Sequence, residues 1–128
     1  MAVQVPDRRA QAFTSDRHVR HRPEFQRVYE QGERVRARLM TVMVLANDRP
    51  VSRLGIAATR KLGGAVERNR AKRLVREVFR KANVPAGLDI VVIPRPEMLD
   101  AEYRVIQAEF GYVLRRAGRG RLASPPRL

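Results

Sequence analysis

ERNRAKRLVREVFRK, residues Glu67 to Lys81, is the stretch on which the reading of this chain turns. It contains no Gly or Pro, and its apolar residues recur at helical spacing. With Ala71 at the origin of a helical wheel, Leu74, Val75, Val78, Phe79 and Ala82 gather in one stripe. Asn69, Arg73, Arg76 and Arg80 fall on the opposite face as an i, i+4, i+7, i+11 row, with Arg70 and Lys72 on the flanks. From Arg60 to Lys81 there are nine basic residues and two acids, Glu67 and Glu77. A solvated face ordinarily mixes signs, because Glu and Lys at i, i+4 support each other. Two acids are too few for that. One face of this helix needs an apolar surface to dock on, and the other needs a polyanion from outside the chain.

The segments around it supply the surface. RPEFQRVYEQG predicts a short helix, with Pro23 in its first turn, Gly32 at its C-terminal cap, and Phe25, Val28 and Tyr29 on one face. ERVRA, from Glu33, reads as a short strand. RLMTVMVLAN (Arg38–Asn47) and VSRLGIAAT (Val51–Thr59) read as strands around the turn sequence NDRP, which predicts an antiparallel hairpin. LDIVVIP (Leu88–Pro94) is a short apolar, β-branched run, the mark of a buried strand. A last helix is predicted from about Asp100 to Ala117, where Tyr103, Ile106, Phe110, Val113, Leu114 and Ala117 share helical spacing. The expected fold class is α+β: one domain, a two-layer sandwich of one small mixed sheet packed with helices in the order α-β-β-β-α-β-α. Residues 1–20 read as a flexible basic arm, 21–117 as the folded domain, and 118–128 as a flexible basic tail.

Charge narrows the function classes. Among 128 residues, 27 Lys and Arg face 13 Asp and Glu, a formal net charge of +14. Such an imbalance costs stability through self-repulsion and is commonly offset by nucleic acid, with an anionic membrane surface as the second candidate. No apolar run approaches the roughly 18–20 residues that span a bilayer, and no secretory h-region stands at the N-terminus. There is no Cys, which excludes disulfides, thiolate catalysis and Cys-ligated zinc and fits the expected cytoplasmic location. His18 and His21 have the spacing of some metal ligands but sit among arginines without a third donor. Gly63 and Gly64 precede a helix without the rest of a phosphate-loop pattern. Phe25 and Tyr29, at i, i+4, read from their spacing first as core residues and second as stacking platforms. No Ser, His and Asp set is legible, and no catalytic residue, metal ligand or bound cofactor is expected.

RLGIAATRKLGGAVERNRAKRLVREVFR (Arg53–Arg80), with EFQRVYEQG upstream and LDIVVIPRP downstream, resembles the protein component of bacterial ribonuclease P. The resemblance spans roughly Val19 to Leu114. It implies a ribosomal-protein-S5-domain-2-like fold with a left-handed βαβ crossover. It also implies a partner, the catalytic ribonuclease P RNA, and a substrate, precursor tRNA. The 5′ leader would be removed by magnesium ions held mainly in the RNA. Neither a membrane nor an obligate protein partner is implied. By the resemblance, Arg68, Asn69, Arg70, Lys72, Arg73 and Arg76 match the motif that meets the catalytic RNA. Arg60 and Lys61 match basic positions before it, and Arg80 extends the row. Phe25 and Tyr29 match the aromatics beside the single-stranded leader. Met43 stands where some relatives place an aromatic, and Thr59 and Arg60 replace a common Ser-Lys pair. The alternative reading is a ribosomal or other structural RNA-binding protein. A DNA-binding module is a third, without a helix-turn-helix or dimerisation pattern to support it.

Overall fold

From Ile90 to Ile93 the run Leu88–Pro94 is apolar on both of its faces, so it must lie inside a sheet covered on both sides. The computed structural model places it there. It describes His18, Val19 and residues 22–123, with side chains through Ala117. The elements are α1 (Arg22–Gln31), β1 (Glu33–Arg36), β2 (Met40–Ala46), β3 (Arg53–Ile56), α2 (Ala65–Lys81), β4 (Leu88–Pro94) and α3 (Tyr103–Ala123). Short 3-10 turns, Arg60–Leu62 and Pro96–Asp100, precede α2 and α3. The sheet order is β1-β2-β4-β3, with β2 antiparallel to both neighbours and β3 parallel to β4.

The expected β2–β3 hairpin is therefore wrong. β4 inserts between the two strands, Met43 facing Val91 on one side and Gly55 facing Val91 on the other. The turn between β2 and β3 is spread open by bonds to the chain entering β4. Asn47 N–H donates to the Gly87 carbonyl at 2.8 Å. The Ser52 hydroxyl donates to the Pro85 carbonyl and accepts from Leu88 N–H at 2.9 Å. These polar groups are spent on β4, not on closing a hairpin.

Two apolar clusters flank the sheet. Met40, Val42, Val44, Leu54, Ile90 and Val92 point to the side covered by Val75, Val78 and Phe79 of α2 and by Ile106, Phe110 and Val113 of α3. Met43 and Val91, of opposite parity, meet Val28 of α1 on the other side. The sandwich is thus sheet against α2 and α3, with α1 laid over part of the second face. Gly32 ends α1 where the chain passes closest to itself. Its N–H donates to the Val28 carbonyl at 2.8 Å, and a Cβ there would stand 2.5 Å from that same oxygen.

The connection from β3 through α2 to β4 has an unusual hand. Val92 faces α2, and its carbonyl accepts from Ala57 N–H beyond the end of β3. For an L-residue in a strand running upward with its side chain toward the viewer, the carbonyl points right. Seen from the α2 side, β3 therefore lies to the right of β4, and the chain moves leftward as it crosses. That is a left-handed crossover, against right-handed connections in about 98% of such units.

Both predicted tails need amendment. Val19, placed in the flexible arm, is buried. Its N–H bonds the Leu54 carbonyl at 2.9 Å, and His18 bridges to Leu54 in parallel. The helical backbone of α3 runs on through Gly118 and Gly120 to Ala123, past the Ala117 at which the apolar spacing stops.

Candidate nucleic-acid interface

α2 divides as its wheel requires. Ala71, Val75, Val78 and Phe79 are buried against the sheet and α3. Asn69, Arg70, Arg73 and Arg76 are exposed, and Arg68, Lys72 and Arg80 are half-buried on the shoulders. Asn69, Lys72, Arg73, Arg76, Glu77 and Arg80 line a shallow groove of about 420 Å³. Both acids of the helix are engaged locally. Glu67 accepts from Gly64 N–H at 2.9 Å and closes the helix start. Glu77 accepts from Arg80 at 2.5 Å and from Lys81 at 3.1 Å, and those bonds hold its carboxyl below the usual range. Arg80 is therefore partly neutralised, whereas Arg73 and Arg76 pair with no acid among the described residues. The 3-10 turn ahead of α2 carries Arg60 and Lys61, both exposed. Gly63, at φ +125°, makes the bend that joins this turn to the helix.

A second surface lies on the face under α1. α1 crosses only one end of it. At the covered end Phe25 sits against Gly55, where an added Cβ would come within 2.9 Å of the ring. Glu24 reaches down from one flank of α1 to Arg53 at 3.0 Å. Tyr29 lies roughly 140° further round from Glu24 at 3.6 residues per turn, on the other flank of α1. It is 40% exposed, and its ring is 6.3 Å from that of Phe25 at 59°. The uncovered end is floored by Thr41 and Ile93, which pair with each other and are half-buried. Arg36, paired with Thr41, extends this floor to the sheet edge. An aromatic flank beside a half-open floor with cations at its margins suits a single strand of nucleic acid.

Met43 is not part of that floor. It is 1% exposed beneath Val28, and its sulfur accepts from Arg34 at 3.6 Å. The residue expected to touch a base is a core residue here, because α1 covers its end of the sheet. Thr41 and Ile93, two positions along on the same face, are the accessible ones, and strict alternation from Met43 would have found them.

The covered end is fixed by a charged cluster. Arg53 and Asp89 are partners across β3 and β4, with side chains 8% and 1% exposed. The Arg53 fork donates to both Asp89 oxygens at 2.8 and 2.7 Å and to Glu24 at 3.0 Å, while Asn47 donates to Asp89 at 2.8 Å. Burial pushes the Asp89 carboxyl up, but the bonds from Arg53 and Asn47 and the charge of Arg53 outweigh it and leave the group below its ordinary value. The bond to Asp89 raises Arg53 in turn. Glu24 and Asp89 thus both serve this cluster, and Glu109 accepts from Leu39 N–H at 2.8 Å.

The family model described as Ribonuclease P matches residues 13–118. The chain belongs to the ribonuclease P protein family. Among its relatives, the ribonuclease P protein component of Thermotoga petrophila is 41% identical over 90 residues, 69% of this chain and 77% of that one. The component from Clostridium botulinum is 34% identical over 103 residues, 78% and 93% of the two chains. Two solved structures superpose well. The RNase P protein from Thermotoga maritima gives a TM-score of 0.71 at 33% identity over 77% of this chain and 96% of its own. The RNase P protein of Staphylococcus aureus gives 0.70 at 36% identity over 79% and 94%.

In this ribonuclease P protein the bonded acids of the described region hold elements of the fold or near neighbours: Glu67 and Glu77 within α2, Glu24 and Asp89 on Arg53, Glu109 on the chain before β2, Glu30 on Gln26 and Glu102 on Arg104. Among the described residues no three His, Asp or Glu gather as a metal site, and no helix is long and apolar enough to cross a membrane. His21 lies outside the described residues.

Proposed function

We propose that this chain is the protein subunit of a cytoplasmic ribonucleoprotein endoribonuclease and that it meets two RNAs on two faces. The α2 row, with Arg60 and Lys61, holds the catalytic RNA. Arg68, Asn69, Arg70, Lys72, Arg73 and Arg76 supply the donors, and Arg80 contributes less because Glu77 holds it. The uncovered sheet end beside Tyr29 and Phe25 receives the 5′ leader of precursor tRNA. Hydrolysis belongs to the RNA and its magnesium ions; the protein adds substrate affinity and orientation. Carrying this reading is one observation: α2 spends both of its acids within its own turns and leaves Arg73 and Arg76 exposed and unpaired among the described residues. Phosphate contacts of this kind give affinity and register without reading sequence. About four of them would give a log–log salt slope near −3 to −4.

Reconstitution tests the reading. The protein is added to a bacterial ribonuclease P RNA at limiting magnesium, and precursor tRNA cleavage is followed. Cleavage should rise sharply. Binding of the RNA without any change in cleavage would favour a structural RNA-binding protein instead.

A further inference from the structure

A third surface lies at the far edge of the sheet. Arg34, Val35 and Arg36 of β1, with Tyr112 and Arg116 of α3, enclose a groove of about 480 Å³, within the size range of binding clefts. β1 is an edge strand. Ala37 N–H donates inward to Met40, so by the alternation of an antiparallel ladder Val35 also bonds β2. The backbone groups of Arg34 and Arg36 therefore face outward, along the groove. On α3 the buried stripe is Ile106, Phe110, Val113 and Ala117, which leaves Tyr112 and Arg116 on the flank toward β1. Tyr112 is 47% exposed, and its hydroxyl accepts from Arg116 at 3.2 Å, so ring and guanidinium are held side by side. Among the described residues no acid lines the groove, and Glu109, one turn earlier on α3, is turned to Leu39 N–H.

Three arginines lining one groove with an exposed ring, Arg116 bonded to it and Arg34 giving one N–H to the Met43 sulfur, suit phosphates flanking a stacked base. Arg36 decides which strand that is. It pairs with Thr41 on the floor of the uncovered sheet end and also lines the groove. The two surfaces thus meet at one residue. We propose that the β1–α3 groove is a continuation of the leader path, seating the leader nucleotides that run past the sheet edge, with a base on Tyr112 and phosphates on Arg34, Arg36 and Arg116. This inference rests on the leader-binding reading above and extends it to a separate set of residues.

A leader-length series tests it. Precursor tRNAs with leaders shortened stepwise from the 5′ end are titrated with holoenzyme carrying wild-type protein, Tyr112→Ala with Arg116→Ala, or Tyr112→Phe. Short leaders should bind all three alike. Beyond a threshold length the double variant should bind at least about fivefold more weakly, the lower end of the effect of one stacked base, while Tyr112→Phe keeps the wild-type gain. Both altered side chains are exposed, and an unchanged thermal midpoint confirms that the fold is intact. Equal affinity of the double variant at every length would overturn the proposal. So would a uniform loss at all lengths, which would assign the groove to the catalytic RNA, and so would competition by an acidic peptide but not by leader RNA. If wild-type protein itself confers no leader-dependent affinity, the leader reading fails first and the groove assignment falls with it. If it does and the double variant retains that affinity in full, only the groove assignment fails.

Discussion

Asp89→Asn removes one charge from the cluster that fixes α1 on the sheet while keeping the side chain's size. The Arg53 guanidinium, 8% exposed, would lose its bidentate carboxylate, with one amide oxygen left to accept from it, and keep Glu24, 27% exposed, as its one anionic partner among the described residues. Stripping one partner from a buried pair costs about 3–5 kcal/mol. The surviving Glu24 contact places this case at the lower end, about 3 kcal/mol. For a folded domain of roughly 100 residues, that lowers the thermal midpoint by about 12–24 °C. The assay is urea unfolding of both proteins across pH. The folded-state value of Asp89 lies below its unfolded one, so its contribution is complete above the unfolded value, about pH 4, and is lost as pH falls through the folded value. The gap between wild type and variant should be full at pH 7 and narrow steadily below about pH 4. A loss under about 1 kcal/mol at neutral pH, or a gap of the same size in acid, would refute the reasoning.

Two further substitutions separate binding from folding. Arg73→Ala with Arg76→Ala removes exposed, unpaired guanidiniums; it should leave the thermal midpoint nearly intact and make the log–log salt slope of RNA binding shallower by about 1.4 to 1.8. A large loss of stability would mean that the row is structural. Phe25→Ala and Tyr29→Ala should part company: Phe25, packed on Gly55, should cost about 2 kcal/mol of stability, below the range of a fully buried ring. Tyr29 should cost little stability but about 1–3 kcal/mol of leader affinity, read by denaturation and by binding of leader RNA.

Much of this fold was legible, and the exceptions share a cause. The wheel of Glu67–Lys81 separated docking face from guanidinium row because both are local properties of one helix. The apolar run at Leu88–Pro94 announced a strand buried on two sides for the same reason. Periodicity says which face of a strand is apolar but not which strand lies beside it, so β2 and β3 read as neighbours when β4 separates them. Met43 carried the parity of the open floor but sits at the end that α1 covers, a matter of where a helix crosses. Arg53 read as an ordinary strand residue; its burial depends on Asp89, 36 residues away. The basic groove at β1 was invisible because it joins residues of β1 to residues of α3 across a sheet edge.

The central claim, two RNAs on two faces, is open to one direct measurement. The chain has no Cys, so a single introduced thiol can carry a tethered hydroxyl-radical source. Val66→Cys places it beside the α2 row, at a position 77% exposed. Gln26→Cys places it on exposed α1, next to Tyr29 on the helix surface. In the holoenzyme with precursor tRNA, the probe at 66 should cut the catalytic RNA and the probe at 26 the leader. Cuts from both probes in the catalytic RNA alone, with the leader untouched, would contradict the claim.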